Sequence, residues 1–308
     1  MLTYLLRVLA KIAITFFAIV TLVFLATRFS GNPIDFVIGQ GITQEDRILL
    51  TRYYGLDRSI WAQYQAFLLS FVDGQFGLSF MERRPVAQIV AERVWPSLQL
   101  LFASVALTLA VSLPLGIMAA VYRKSWVGSA VMVFAFLGYA VPNFVLAIFL
   151  ILLFAYQLNW LPVVGNGTVW HFLMPTITMS AILIAGLTRF TRNAMLDVLG
   201  QDYMRTARAK GLSETQVIFK HGLRNATITI LSVIGLQVAG LAAAGSVVVE
   251  TIFAWPGIGE LLVRSAITRD YPVLQFGVIA VSIAVLFINA IVDIAYAYAD
   301  PRIRLGRV

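Results

Sequence analysis

Residues 202–226 read Asp202-Tyr-Met-Arg-Thr-Ala-Arg-Ala-Lys-Gly211-Leu-Ser-Glu-Thr-Gln-Val-Ile-Phe-Lys-His-Gly-Leu-Arg-Asn-Ala226. This stretch is long, basic and interrupted by glycine, and it lies between segments that are mostly apolar. The whole chain of 308 residues is 60% hydrophobic and 12% charged, with a mean hydropathy of +0.86. Since a soluble domain has about a quarter of its residues charged, the composition indicates an integral membrane protein with a conspicuous polar loop.

Apolar runs around this loop are long enough to cross the roughly 30 Å hydrocarbon core of a bilayer. They predict an all-α membrane protein with six spans, at about 9–29, 97–121, 130–156, 172–190, 227–249 and 275–297. Hydroxyl side chains interrupt the fourth run, so we expect it to face protein or a polar path rather than lipid. Kinks are expected at the prolines inside the runs, which are Pro114, Pro142 and Pro175.

The first run follows two basic residues, as a secretory signal does. No small-x-small cleavage pattern is evident near residues 25–30, and more spans follow it. We therefore expect an uncleaved first membrane helix at 1–29.

Basic residues give the predicted orientation. With both termini in the cytoplasm, 14 of the 23 Lys and Arg residues fall on the cytoplasmic side, as the positive-inside rule expects. Topology thereby accounts for the net charge of +8, and nucleic-acid binding is not predicted. The chain then divides into the helix at 1–29, an extracytoplasmic helical segment at 30–94 and a five-helix part at 95–308.

Three polar pieces lie outside the predicted spans. The segment 30–94 contains helical patches at 44–54, 59–72 and 86–94, the first of them with Thr43 and Asp46 at its start. The loop 250–272 contains a Pro-Gly-x-Gly turn before an apolar stretch, which favours a short re-entrant-like helix. The third piece is the cytoplasmic loop 191–226.

Several kinds of chemistry are excluded by composition. The chain has no cysteine, which rules out disulfides and thiolate metal sites, and its two histidines are far apart in sequence. A phosphate-binding loop needs Gly-x-x-x-x-Gly-Lys-Ser/Thr; only Lys124 precedes a Ser, and Arg123 stands where that pattern has Gly. We therefore expect no catalytic site, no metal and no nucleotide site in this chain, and energy must come from another subunit.

Gly211 divides the cytoplasmic loop into two predicted helices. Ser213 and Gln216 have the spacing of a capping box at the start of the second helix. Exposed apolar and basic groups on such a helical hairpin suit docking into a groove on another protein. They suit equally a solvated basic loop held near anionic lipid, and the residues alone do not decide between the two.

The loop resembles the "EAA" loop of permease subunits of ABC importers. That pattern is Glu-Ala-Ala, three residues, Gly, nine residues and then Ile-x-Leu-Pro. Gly211 takes the Gly position, Ala207 the second Ala, and Leu223 the Leu. The departures are Arg205 for Glu, Thr206 for the first Ala, His221 for Ile and Arg224 for Pro.

These departures resemble one branch, the dipeptide/oligopeptide/nickel permeases, and in particular the B member of the permease pair. The resemblance extends over essentially the whole chain. The passages that carry it are Tyr-Gly-Leu-Asp57, Gly74-x-Phe-Gly-Leu-Ser79, Arg84-Pro-Val, Trp160-Leu-Pro, Val249-Glu-Thr-Ile-Phe-x-x-Pro-Gly-x-Gly259, Arg269-Asp-Tyr-Pro272 and Asp300-Pro-Arg-Ile-Arg304.

The resemblance implies a type I ABC importer permease fold in a bacterial inner membrane. It implies a second permease, two ATPase subunits that hold ATP and Mg, and an extracytoplasmic solute-binding protein that meets segments 30–94 and 250–272. The loop would be the coupling helix that docks on an ATPase. The residues expected at that contact are Arg205, Ala207, Lys210, Gly211, Leu212, Glu214, Leu223 and Arg224.

The substrate is predicted to be di- or oligopeptides, with glutathione, nickel chelates and opines as alternatives within the same family. Two other classes of function need features that this sequence lacks. A secondary transporter needs a coupling-ion site, usually with acids at mid-membrane, and the predicted spans have none there. A membrane-embedded enzyme needs a catalytic cluster, and none is evident.

A few polar residues within or beside the spans are candidates for a role. Asp293 is expected to be an interfacial anchor rather than a proton relay. Glu250 and Glu260 are expected on the surface, with contact to substrate or binding protein as the alternative. Three polar residues are candidates for lining a translocation path: Asn143, Gln237 and Asn289. The alternative is that each bridges helices by hydrogen bonds.

Overall fold

A computed structural model describes residues 2–31, 44–53, 55–74, 76–241 and 246–299. Within these ranges the regular structure is helical, apart from an isolated antiparallel bridge between Leu78 and Pro85. The all-α prediction is confirmed. Thr43 and the passage Asp300–Arg304 lie outside the described residues.

Within the described residues, four helices precede the basic turn at Arg123 and Lys124. The predicted patches at 44–54 and 59–72 are helices with nearly the expected bounds. Ser59 is the N-cap of the second, and its hydroxyl accepts a hydrogen bond from the Ala62 N–H. The bounds are α1 Leu2–Phe29, α2 Gln44–Tyr53, α3 Ile60–Asp73 and α4 Val86–Val121.

The middle of the chain contains two π-helical segments, in which each turn is wider than in an α-helix. We name them π1, Ile151–Gln157, and π2, Val217–Leu223. The α-helices here are α5 Trp126–Ala140, α6 Asn143–Leu150, α7 Val169–Leu199, α8 Asp202–Ala209, α9 Glu214–Gln216 and α10 Arg224–Gly240.

The last described part has a short helix on each side of a turn, as the Pro-Gly-x-Gly sequence predicts. The bounds are α11 Ser246–Ile252, α12 Ile258–Ile267 and α13 Tyr271–Ala299. The whole chain forms two compact units. Unit 1 is Met1–Ser97 with Pro256–Leu286, and unit 2 is Leu98–Trp255 with Phe287–Val308.

Among the described residues, four helices are long and apolar enough to cross a membrane, or five if α5 and the α6–π1 helix count as one bent span. The four are within α1, α4, α7 and α13. The remaining predicted span, 227–249, overlaps α10 and α11, but residues 242–245 lie outside the described part of the chain.

The span predicted at 130–156 is wrong as a continuous helix. It is two helices bent by 98°. Val141 takes an extended conformation (φ −84°, ψ 120°), because the ring of Pro142 disfavours the helical conformation of the residue before it. The expected kink at Pro142 is confirmed, whereas Pro114 and Pro175 lie inside helices that continue past them.

Two predicted bounds also need correction. The patch 86–94 and the span 97–121 are one 36-residue helix, α4, so the boundary placed at residue 95 falls inside a helix. The loop predicted at 191–226 begins later, because α7 continues to Leu199 and buries Ala194 and Met195 in an apolar cluster. The second helix of the loop is not separate, since α9, π2 and α10 follow one another without a break.

In unit 2, α4 and α7 approach closely along a row of small residues. A Cβ at Gly116 would lie 2.5 Å from the Cβ of Thr191, and the Ser180 hydroxyl donates to the Ser104 carbonyl over 3.1 Å. Small residues permit this approach where lipid gives helices no hydrophobic reason to associate. The buried row on α4 continues through Thr108 and Ser112.

A second feature of unit 2 is the packing around Trp255. Its ring is fully buried and meets Phe172 edge to face with ring centroids 4.5 Å apart. Glu250 lies on α11 one residue after the buried Val249, and its side chain is fully buried too. The expectation that Glu250 is on the surface is therefore wrong, because α11 packs into this apolar cluster.

Unit 1 contains a separate apolar cluster, in which α4 meets α12 and α13. The start of α4 contributes Val86 and Ile89, α12 contributes Leu261, and Phe76 stacks on Phe276 of α13 with centroids 3.9 Å apart. Beside this cluster, Glu260 is partly buried and lies 3.5 Å from the Arg93 guanidinium.

In unit 1 a buried carboxylate connects, by hydrogen bonds, the sequence passages Gly74–Ser79 and Arg269–Pro272. Asp270 is only 4% exposed, and it accepts hydrogen bonds from the Ser79 hydroxyl at 2.5 Å and from the Phe80 N–H at 3.1 Å. The Ser79 oxygen in turn accepts from the Glu82 N–H at 2.8 Å. Glu82 then pairs with Arg264 at 2.7 Å. These bonds fix the turn 79–82 against the residues that follow α12.

This arrangement predicts that Asp270→Ala destabilises the protein. The substitution leaves the buried Ser79 hydroxyl and Phe80 N–H without their acceptor, at a cost of about 2–3 kcal/mol. We expect a lower midpoint of thermal unfolding in detergent, followed by tryptophan fluorescence. Asp57→Ala, which removes an exposed carboxylate, is the matched control; an equal shift for both variants would contradict the prediction.

Candidate functional site

Helix α8 is held against the rest of unit 2 by its apolar side. Met204 is fully buried and Ala207 is 5% exposed, and both pack against Val217 of π2. Asp202 lies in the first turn, where a carboxylate interacts favourably with the positive end of the helix dipole. The sequence thus gives α8 an anchored inner side and a polar outer side.

The turn after α8 depends on Gly211. Its φ of +79° lies in the left-handed region, which costs a side-chain-bearing residue free energy. A Cβ at this position would meet nothing within 4 Å, so the space beside it is open. Two residues later the Ser213 hydroxyl accepts a hydrogen bond from the Gln216 N–H over 3.4 Å, which confirms Ser213 as the N-cap of the helix that follows.

An ion pair spans this turn. The Arg208 guanidinium donates through Nε to one Glu214 oxygen at 3.1 Å and through a terminal nitrogen to the other at 2.8 Å. This two-bond geometry fixes both side chains. The hydrogen bond from Arg208 lowers the pKa of Glu214, so the pair is fully formed at neutral pH. Its contribution to stability is lost only when pH falls through the lowered pKa.

Segment π2 joins the turn to α10 and is buried on one side. Val217 and Ile218 are buried, and so is Gly222. A Cβ at Gly222 would lie 3.3 Å from the Met195 methyl and 3.4 Å from the Met204 methyl. Sequence reasoning missed Gly222 as a packing residue, because Met195 and Met204 meet it only in the folded chain.

The expected contact residues divide into two groups. Ala207 packs inside the loop, and Leu212 and Leu223 are half-buried. The other five are exposed and lie on the outer surface of the loop. Their contact with an ATPase stays a prediction. They are Arg205, Lys210, Gly211, Glu214 and Arg224.

The three candidates for a translocation path lie on different helices. Asn143 begins α6 and is half-buried, and Asn289 on α13 is exposed. Gln237 of α10 lines a gap of about 10 Å³ with Thr108 and Leu187, between packed helices. The role of these three residues in a translocation path stays a prediction.

The ion pair across the turn predicts that Glu214→Arg alone and Arg208→Glu alone make the loop open more often. Each single variant places like charges together, whereas the double exchange restores opposite charges. We expect chymotrypsin, whose cleavage sites after Tyr203 and Phe219 are unchanged by these exchanges, to cleave the loop about two to five times faster in each single variant, since exposed pairs contribute modestly. The double exchange is the control for charge content, and cleavage as fast as in the singles would contradict the pairing.

Comparison with known proteins identifies the family to which this arrangement belongs. Residues 112–305 match the family described as binding-protein-dependent transport system inner membrane component. The glutathione transport system permease protein GsiC of Shigella flexneri serotype 5b and that of Escherichia coli K12 are each 41% identical over 305 residues, which covers 99% of both chains.

Solved structures show the same fold at low sequence identity. A chain of the MetNI methionine ABC transporter, in an inward-facing conformation, superposes with a TM-score of 0.61 and 17% identity. The match covers 70% of this chain and 97% of that one. A chain of an amino acid ABC transporter matches with a TM-score of 0.52 and 13% identity over 69% of this chain and 94% of that one.

The sequence match over nearly the full length and the shared fold agree. The relatives are permease proteins of a transport system, and this chain is likewise a transport subunit rather than an enzyme. The chain belongs to the family of binding-protein-dependent inner-membrane transport components and is a permease subunit of an ABC importer with the type I fold.

Proposed function

We propose that this permease imports short peptides and is driven by ATPase subunits that dock on residues 202–224. The observation that carries the docking proposal is the preformed loop. Its inner side is anchored by Met204 and Val217, its turn is fixed by Gly211 and an ion pair, and its outer side is exposed. A surface that is fixed without its partner loses little conformational entropy when the partner binds.

The loop is also suited to transmit movement. Only Gly200 and Gln201 separate α7 from α8, and α9, π2 and α10 follow each other without interruption. Met195 of α7 and Met204 of α8 both pack at Gly222. When the ATPase subunits close, displacement of α8 would therefore reach α7 and α10 directly, because no flexible linker absorbs it.

The proposed assembly contains this chain, a second permease, two ATPase subunits and an extracytoplasmic solute-binding protein. ATP and Mg would bind to the ATPase subunits, and this chain would hold no cofactor. Both termini would lie in the cytoplasm of a bacterial cell, with the spanning helices in contact with membrane lipid. Residues 30–94 and 250–272 would then face the binding protein.

The substrate class rests on the relatives. Proteins that are 41% identical to this chain over nearly its whole length are glutathione transport permeases. Glutathione is itself a short peptide with two free carboxylates. We therefore propose short peptides as the class, with glutathione as the specific second candidate.

The docking proposal predicts that Gly211→Leu abolishes co-purification of the ATPase subunits. The leucine side chain would fill the open space beside the turn and strain its backbone. Gly77→Leu is the matched control, because Gly77 has a φ of +78° and equally open surroundings. We expect a loss of about tenfold or more for Gly211→Leu only, measured by quantitative mass spectrometry of the purified complex. Loss in both variants, or in neither, would contradict docking at Gly211.

The substrate proposal is tested on the solute-binding protein of the same importer. We expect isothermal titration calorimetry to detect binding of di- to pentapeptides or of glutathione. Nickel chelates and opines serve as the competing ligands. Binding of either of these without binding of any peptide would overturn the peptide assignment and leave the permease assignment intact.

A further inference from the structure

Helix α7 has two arginines on the side that faces α5. A Cβ at Gly138 of α5 would lie 3.5 Å from the Cβ of Ala185, so the two helices are close there. Arg189 follows Ala185 by four residues and lies on the same side of α7, with Arg192 as its neighbour three residues further on. The guanidinium carbon of Arg189 lies 5.5 Å from the centre of the Tyr139 ring. The ring attracts the guanidinium and thereby holds one of the two cations in place.

The position of this contact along the helices separates it from their ends. Tyr139 is the fourteenth of the 15 residues of α5, so at about 1.5 Å per residue it lies about 20 Å from the start of that helix. The basic turn at Arg123 and Lys124 comes just before that start. Arg189 lies ten residues before the end of α7, which is about 15 Å along its axis. The Arg189 guanidinium therefore lies close to the 98° break between α5 and α6 and away from the cations of the turn.

The contact lies at the surface of unit 2. Tyr139 is 56% exposed and Phe190 is 44% exposed, and the Arg189 side chain between them is exposed as well. A charged side chain that faces hydrocarbon at this depth costs free energy, and intramembrane charges usually face the protein interior or a water-filled cavity. The exposed surface around Arg189 therefore suits the wall of an aqueous path and not a surface in contact with lipid tails.

Neither arginine has a carboxylate partner in the described part of the chain. The ion pairs within 4 Å there all involve other residues. The Arg192 Nε is buried and has no hydrogen-bond partner among the described residues. Like charges that are neighbours on a helix surface repel one another, and a buried donor without an acceptor costs free energy. A carboxylate bound to both Arg189 and Arg192 would reduce both of these costs.

We propose that Arg189 and Arg192 bind the carboxylate of the transported peptide as it crosses the membrane. A guanidinium can donate two parallel hydrogen bonds to a carboxylate. Tyr139 positions the Arg189 guanidinium before the peptide arrives, which limits the conformational entropy lost on binding. An unmodified short peptide has a C-terminal carboxylate, and glutathione has two carboxylates. The inference rests on the proposed function and adds the chemical group that the path recognises.

Two other anions compete with the peptide as partners of Arg189. Anionic headgroups attract cations at the membrane surface, but Arg189 lies about 15 Å from the end of α7, which is farther than an arginine side chain reaches. A carboxylate of the second permease is the other competitor. Such a carboxylate would stay in place whichever peptide is transported, so it would make uptake independent of the C-terminal group of the peptide.

The test compares uptake of radiolabelled trialanine with uptake of trialanine amide, which differ only in the C-terminal group. Glutathione and its glycine ethyl ester form a second pair of probes. The complete importer, with its ATPase subunits and binding protein, is reconstituted in phosphatidylcholine liposomes loaded with ATP. Arg189→Gln and Arg192→Gln each remove a charge, and Arg189→Lys keeps the charge but not the planar fork. The matched control is Arg123→Gln, which removes an exposed cation from the α4–α5 turn.

We expect Arg189→Gln to slow trialanine uptake about tenfold or more, because hydrogen bonds between charged groups contribute strongly. Uptake of trialanine amide should stay within about twofold of wild type, since the amide cannot form the same charged pair. Arg192→Gln and Arg189→Lys should show the same pattern with smaller losses, and the control should match wild type. The binding protein is the same in every sample, so a change in the ratio of acid to amide uptake belongs to the permease.

Co-purification of all subunits with each variant shows that the importer still assembles. An unchanged ratio of acid to amide uptake in Arg189→Gln, whether both rates fall equally or neither falls, would overturn the proposal and leave the permease assignment intact. A dependence on Arg189 that appears only when the liposomes contain phosphatidylglycerol would assign the residue to lipid and overturn it too. If the wild type imports neither trialanine nor glutathione, the proposed function fails, and this inference fails with it.

Discussion

A chain inside hydrocarbon has to satisfy its backbone hydrogen bonds within its own segments, because no water is present to do so. Most of this structure follows from that constraint. The long apolar stretches form helices such as α4 and α7, and their close approach at Gly116 uses small residues rather than hydrophobic driving force. Where the backbone leaves the helical pattern, at Val141 and Pro142, a proline imposes the break.

The same constraint makes the polar loop informative. Residues 202–224 lie outside the membrane helices, so burial in lipid does not stabilise their conformation. Contacts within the chain have to stabilise it. Two sets of contacts do this. Helix α8 and π2 bury a small apolar cluster, and the absence of a side chain at Gly222 leaves room for the methyl groups of Met195 and Met204. The loop is thereby fixed on its inner side and free on its outer side. A loop that is fixed to its own chain on one side and exposed on the other is suited to transmit movement between subunits.

Hydropathy and glycine spacing predicted the fold class and the location of the candidate site, because both depend on local composition. The pattern could not show that the loop is shorter than expected, since Ala194, Met195 and Val198 are compatible with either a span or an amphipathic connection. It also placed Glu250 on the surface, because a carboxylate beside a Pro-Gly turn usually is. The burial of Glu250 results from the packing of α11 near Trp255, which involves residues distant in sequence.

The resemblance to the EAA motif also did not predict which loop residues are exposed to a partner. It aligned Ala207 and Glu214 with contact positions, but the structure gives both residues partners within the chain. Ala207 packs against Val217, and Glu214 holds Arg208. A motif records which residue types recur at a spacing, and it does not separate those that touch a partner from those that shape the surface presented to it.

The π-helical segment at Val217–Leu223 sets the rotational register of everything that follows it. Because its turns contain more residues than those of an α-helix, α10 starts at a different angle from the one a regular helix would give it. In this register Ala226 and Ile230 lie in one apolar cluster with Leu187 and Met195 of α7. Removal of a single residue from the segment would rotate α10 by about 100° and carry both side chains off that interface. The segment π2 therefore sets the rotation of α10 about its axis relative to the loop.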